Sequence, residues 1–230
     1  MGSEGRKHIA LLIFALSPEA QHQQKNLGGE KGLYELLNQH TLKLAKTLGL
    51  PYFHFTEKEQ EGKNFGERYT HAIKKIFSMG YDGIITIGND TPALGNEQLQ
   101  KAYKNLKTGK SVLGPSLDGG FYLLAIPKAV FSEEAFLSIS WNSPQVFRQM
   151  QRYLQKRNES LCVLSALGDL DSLSDAVLLL DRYINIPYGI KKVLAKTRPN
   201  GEKITTLFAS YYSIHGHNRI LNRGSPLLPV

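Results

Sequence analysis

Residues Ile9-Ala10-Leu11-Leu12-Ile13-Phe14-Ala15-Leu16 form one unbroken apolar run. A strand with one face in water alternates apolar and polar side chains, whereas an unbroken run needs cover on both faces. The run is too short to cross a bilayer, which takes about 20 residues in a helix. Arg6-Lys7-His8 precede it, as in a secretory leader, but Ser17-Pro18-Glu19 follow in place of a small-residue cleavage site. It reads as the buried first strand of a cytoplasmic protein. Further strands are expected at 51–55, 83–87, 111–114, 121–126 and 161–164. Helices are expected at 31–48, 65–79, 96–107, 144–157 and 172–183. In the cleanest of these, Tyr69, Ala72, Ile73, Ile76 and Phe77 share one face, Asn64 and Glu67 form a start signal, and Gly80 ends it. Residues 17–30 read as a loop. Strands alternating with helices predict an α/β fold with a mostly parallel sheet covered on both faces. Ligands of such sheets sit beyond the carboxyl ends of the strands.

Composition narrows the function classes. With 41% apolar residues and 28 Lys+Arg against 20 Asp+Glu in 230 residues, a disordered chain is excluded. One cysteine, Cys162, excludes an internal disulfide and a cysteine-clustered metal site. The positive charge is concentrated beyond Pro187, where Lys191, Lys192, Lys196, Arg198, Lys203, Arg219 and Arg223 face a single acid, Glu202. We read 1–186 as the main domain and 187–230 as a basic extension. Asn200-Gly201 marks a turn between 191–197 and 203–212, so the extension suits a hairpin arm through which a homodimer could form. A solvated basic tail is the simpler explanation of the charge. Aromatic and basic residues do not interleave as in a nucleic-acid platform.

Three segments carry acids at positions suited to chemistry. Gly88-Asn89-Asp90-Thr91-Pro92 puts Asp90 directly after a buried strand, where a carboxylate can hold a hard cation that in turn binds phosphate; a turn aspartate would look the same. In Asp118-Gly119-Gly120 the acid could accept hydrogen bonds from a sugar or other hydroxyl, and the glycines allow close backbone approach or positive φ; a plain Asp-Gly hairpin turn is the alternative. Asp169-Leu170-Asp171 could face Asp90 across a cation. Ser172 or Ser174 with Asp175 reads as a helix cap. His215-Gly216-His217 has no acid nearby and makes a poor metal site. There is no Walker loop, no G-x-S-x-G elbow and no G-x-G-x-x-G after the first strand.

Together these segments resemble a known family. The resemblance is carried by Phe14-Ala15, Gly62-x-x-Phe65-Gly66-Glu67-Arg68, Gly80-Tyr81, Gly88 to Leu94, Leu113-Gly114-Pro115, Asp118 to Tyr122, Trp141 and Asp169-Leu170-Asp171, and it spans about residues 8–183. The chain is similar to the bacterial glycosyltransferase-like family of radical-SAM/selenodomain-associated transferases, in the GT-A nucleotide-diphospho-sugar transferase superfamily. The resemblance implies a GT-A-like three-layer sandwich. It implies Mg²⁺ or Mn²⁺ at Asp90 with Asp169 or Asp171, and catalytic roles for Asp90 and Asp118. It also implies substrate contacts at Asp118, Gly119 and Gly120, and a nucleotide near Ala15, Lys25 and Arg68.

The first loop departs from that family. Where relatives carry a glycine and then a Lys-Thr-Arg-type triplet, this chain has Gln21 and then Gln24-Lys25-Asn26. The exchange removes charge-assisted phosphate bonds worth about 1.5–3 kcal/mol each, with Lys25 left to replace one from a shifted position. Asn89 leaves one acid where some GT-A enzymes have two. Two functions follow. One is a metal-dependent nucleotidyl- or glycosyltransferase that takes an NTP or nucleotide-sugar and a small acceptor. The other is a catalytically degenerate protein of the same fold, acting as a binding or partner module.

Overall fold

The computed structural model describes residues 7–25, 32–157, 160–183 and 185–196. The chain divides into two units, Met1–Thr197 and Arg198–Val230, and the second lies outside the described residues. So do Asn200-Gly201, the expected second hairpin strand and His215-Gly216-His217.

Six strands form one sheet: β1 (Ile9–Phe14), β2 (Tyr52–Phe55), β3 (Gly83–Ile87), β4 (Ser111–Pro115), β5 (Phe121–Pro127) and β6 (Leu161–Val163). Their order is β2-β1-β3-β5-β4-β6. β1 pairs in parallel with β2 and β3, and β4 in parallel with β6; only β5 runs against its neighbours. The sheet is therefore mostly parallel, as the apolar runs require. The helices are α1 (Pro18–Gln24), α2 (Gly32–Leu48), α3 (Phe65–Ser78), α4 (Asn96–Lys107), α5 (Glu133–Leu137), α6 (Val146–Lys156), α7 (Leu173–Arg182) and α8 (Tyr188–Lys196).

Alternation along β1 splits the core into two layers. Ile9, Leu11 and Ile13 face one way, into a cluster with α2, α4, α7 and α8. Ala10 and Leu12 face the other way, against Tyr69, Ile73 and Ile76 of α3, Phe136 of α5 and Met150 and Leu154 of α6. The result is a sheet between two helical layers. Among the described residues no helix is long and apolar enough to cross a membrane.

Two expectations are corrected. Residues 18–24, read as loop, are helix α1: Ser17 caps it by accepting the Ala20 N–H, Pro18 sits in its first turn, and Glu19 favours its positive end. The stretch 191–196, read as a hairpin strand, is the body of α8, whose Ile190 and Leu194 lie one turn apart and are buried in the first core layer. At α7 the cap is Ser172, which accepts the Asp175 N–H while the Asp175 carboxylate accepts the Ser172 N–H.

His40 of α2 links its layer to the strand ends. Its Nε2 lies 3.0 Å from the Leu94 carbonyl oxygen and donates to it in the neutral ring. Burial lowers its pKa below the ordinary 6.5. The unfolded chain therefore binds the proton more readily, and stability is lost as pH falls below about 6.5. His40→Gln, which keeps a donor, is expected to melt close to the parent at pH 7.5 and to lose less on acidification to pH 5. Parallel melting curves that keep the same separation at both pH values would contradict this.

Candidate functional site

Backbone pairing draws the carboxyl ends of β3, β4 and β6 together. Ser116 bridges Leu167 in parallel, the Leu117 N–H donates to the Leu167 carbonyl, and the Leu170 N–H donates to the Asp90 carbonyl at 2.8 Å. Three acid segments distant in sequence therefore share one rim. Asp90, Asp118, Asp169 and Asp171 all line a cleft of about 510 Å³.

The four acids sit in different surroundings. Lys25 reaches from the end of α1 to place Nζ 3.2 Å from Asp90 Oδ2 and 2.6 Å from Asp171 Oδ1. Burial alone would lower the Lys25 pKa, but the charges of Asp90 and then Asp171 outweigh it and raise the pKa above its ordinary value. Asp169 does not share this cation. Its Oδ1 accepts the Thr91 hydroxyl, and burial, together with the charge of Asp90, pushes its carboxyl well above the usual range. Asp118 is the acid of the β4–β5 turn and accepts the Gly120 N–H at 2.9 Å. The protein packed around this solvent-exposed side chain pushes its pKa up by desolvation against the pull of that N–H, and Asp171 and Asp90 add to the push.

The far wall is aromatic. Phe14, Phe65, Tyr69, Phe121 and Trp141 line the cleft. Phe65 stacks on Tyr69, and Trp141 lies against Phe65, Tyr69 and Phe121 at 5.3–6.0 Å between ring centres. The Trp141 indole N–H donates to the Phe136 carbonyl, and the Tyr69 hydroxyl bonds Thr86. The ring can sit there because position 66 has no side chain: a Cβ on Gly66 would lie 2.2 Å from Trp141 Cδ1.

The expected residues thus divide. Asp90, Asp118, Asp169, Asp171 and Gly120 line the cleft, and Lys25 is bonded to two of them. Gly119 does not line it; it holds the turn, at φ 99°. Ala15 is buried in the core, and Phe14 takes the cleft position beside it. Arg68, in the first turn of α3, is outside the lining. Sequence reading missed the aromatic wall, whose members are scattered along the chain. It also missed a buried amide pair: Gln21 Nε2 donates to Asn89 Oδ1 at 2.7 Å, and Asn89 Nδ2 donates to Gln21 Oε1 at 3.1 Å. Gln21 and Asn89, both departures from the family pattern, are each other's partners.

No three His, Cys, Asp or Glu side chains among the described residues form a ready-made cation cage. Two carboxylates, Asp90 and Asp171, do converge on one positively charged atom. That suffices for Mg²⁺, which takes one or two carboxylates and fills its remaining positions with phosphate and water.

Residues 39–143 match the family described as "Uncharacterized protein conserved in bacteria (DUF2064)". No curated protein matches the sequence. Among solved structures, a "putative nucleotide-diphospho-sugar transferase" from Desulfovibrio desulfuricans G20 is similar with a TM-score of 0.66 and 20% identity, covering 89% of this chain and 98% of that one. The 4-diphosphocytidyl-2C-methyl-D-erythritol synthase of Anaerococcus prevotii DSM 20548 has a TM-score of 0.50 and 13% identity, covering 83% and 98%. The manganese complex of Rv0371c from Mycobacterium tuberculosis H37Rv has a TM-score of 0.43 and 12% identity, covering 76% and 100%. At these identities the likeness is one of fold. Residues 39–143 are thus similar to the DUF2064 family, and the chain shares its α/β fold with the Desulfovibrio structure.

Proposed function

We propose that the cleft binds a phosphate-bearing donor, an NTP or a nucleotide-sugar, together with Mg²⁺ or Mn²⁺, and passes a group from that phosphate to a hydroxyl of a small acceptor. The observation that carries this reading is the convergence of Asp90 and Asp171 on one cationic point beside Asp118. Asp90 and Asp171 would hold the divalent ion, whose contribution is to offset charge growing on the leaving phosphate oxygen. Asp118 serves as the base. Its raised pKa makes it a stronger proton acceptor near neutrality, and the Gly120 N–H fixes the carboxylate in orientation. The aromatic wall offers flat apolar faces to a base or sugar ring and keeps water from that side of the cleft. No role is proposed for Ala15 and Arg68, neither of which lines the cleft.

A second reading, binding without turnover, is favoured by the Gln21–Asn89 pair, which fills with buried amides the strand edge that relatives reserve for a glycine loop.

The test is a melting series with NTPs and nucleotide-sugars, with and without Mg²⁺. A ligand at 100 times its Kd adds about 2.7 kcal/mol, which raises Tm by roughly 5–10 °C in a chain of this size. Trp141, the sole tryptophan, lines the cleft and should change its emission on the same titration. Asp90→Asn is expected to abolish the Mg²⁺-dependent part of the shift. No shift with any nucleotide at millimolar concentration would overturn the proposal, and binding without group transfer would decide for the second reading.

A further inference from the structure

Lys25 already supplies a cation to the position a divalent ion would take. Its Nζ is in contact with Asp171 Oδ1, Asp90 Oδ2 and, at 3.5 Å, the Leu170 carbonyl oxygen. Oxygens from three chain positions around one point are the surroundings of a hard cation.

The placement is built in by α1. At its start, the Ser17 N–H and hydroxyl both donate to the Glu57 carboxylate, at 2.8 and 2.9 Å. In its middle, the Gln21 amide is paired with Asn89. At its end, the Tyr34 hydroxyl donates to the Lys25 carbonyl. Gln21 and Lys25 are four residues apart, one helical turn, so they meet the adjacent residues Asn89 and Asp90. The Lys25 backbone is thus held, and the side chain has a short, defined reach.

An ammonium and a divalent ion cannot both occupy the gap between the same two carboxylate oxygens, because they repel strongly at contact distance. A polyphosphate changes the balance. Its oxygens complete the coordination of the ion and offer the displaced ammonium a new anionic partner. We propose that Lys25 competes with the divalent cation for Asp90 and Asp171, so that the ion binds weakly by itself and enters with a phosphate-bearing ligand. This rests on the reading of the cleft as a metal–phosphate site and adds an order of binding to it.

The test uses the full chain and Mn²⁺ alone, with free Mn²⁺ counted by electron paramagnetic resonance. Lys25→Met, which keeps the side-chain bulk without charge, is expected to bind Mn²⁺ at least tenfold more tightly than the parent. Lys25→Arg should stay near the parent, and adding Asp171→Asn to Lys25→Met should remove the gain. A folded Lys25→Met whose Mn²⁺ affinity lies within twofold of the parent overturns the proposal. A second measurement needs no variant: saturating Mn²⁺ should increase acetic-anhydride labelling of Lys25, read by peptide mass spectrometry. Labelling that stays level under saturation counts against the competition. The two readings fail separately. Unchanged Mn²⁺ affinity in Lys25→Met with a Mg²⁺-dependent nucleotide shift in the parent removes the competition and leaves the transferase proposal. Tighter Mn²⁺ binding in Lys25→Met with no nucleotide shift in the parent does the reverse.

Discussion

Gly119→Ala is expected to destabilise the protein by about 3 kcal/mol or more and to lower Tm by roughly 6–12 °C, combining positive-φ strain with overpacking. Two independent costs add. Gly119 has φ 99°, a conformation that side chains other than hydrogen rarely adopt. A Cβ there would also lie 2.3 Å from the Pro144 carbonyl oxygen, and that atom belongs to backbone rather than to a yielding side-chain tip. The Gly119 carbonyl in turn accepts the Phe147 N–H at 2.9 Å, so the turn and the start of α6 are tied from both sides. Relief of the clash must move the turn that carries Asp118, so nucleotide binding is expected to fall along with stability. Gly120→Ala is the internal control. The atoms nearest its Cβ would be those of the Asp118 carboxyl group, a side-chain tip, with Oδ1 at 3.3 Å, and there is no positive φ to strain it. Urea unfolding of the two variants should separate them clearly; equal, small losses would mean that the turn has another low-energy path.

That contrast marks how far the sequence could be read at this turn. The glycine pair was legible as a need for backbone freedom, and the reading left open whether a ligand or a turn required it. The answer lies in Pro144, which nothing local in the sequence connects to Gly119. The fold was more legible because its signal is local. Unbroken apolar runs specify strands buried on both faces, and the helical period of Tyr69, Ala72, Ile73, Ile76 and Phe77 specifies α3, capped by Asn64. The helix α1 was not legible as a helix. Its residues are polar, and what holds it is remote: Glu57 for Ser17 and Asn89 for Gln21. For α8 a signal did exist, the one-turn spacing of Ile190 and Leu194 after Pro187, but the basic composition around it suggested an arm. The acids of the site were found because strand ends advertise them. Which acids share a cation was not, since Lys25 meets Asp90 and Asp171 across 65 and 146 residues of chain.

Asn89→Asp would restore the second acid of the motif, and in this chain it is expected to cost about 3 kcal/mol or more at pH 8, the range for an uncompensated buried charge. Asn89 is 3% exposed and donates its Nδ2 to Gln21 Oε1. An ionised aspartate has no donor, so two acceptors would face each other, beside the existing charge of Asp90. Protonation repairs the fit, because a carboxylic acid can donate to Gln21 Oε1 while its other oxygen still accepts from Gln21 Nε2. The introduced acid should therefore hold its proton in the folded state to higher pH than in the unfolded chain. With the folded pKa raised, the folded state binds more protons, and stability falls as pH rises from about 4. The deficit relative to the parent should be largest at pH 8 and should shrink toward pH 4.5, as measured by urea unfolding at both. A deficit of equal size at the two pH values would mean that the carboxylate has found another partner, such as Lys25, one helical turn beyond Gln21 and already paired with the adjacent Asp90. On the expected outcome, residues 21 and 89 act as one unit, and a second acid on this strand end is compatible with the fold only when position 21 changes with it.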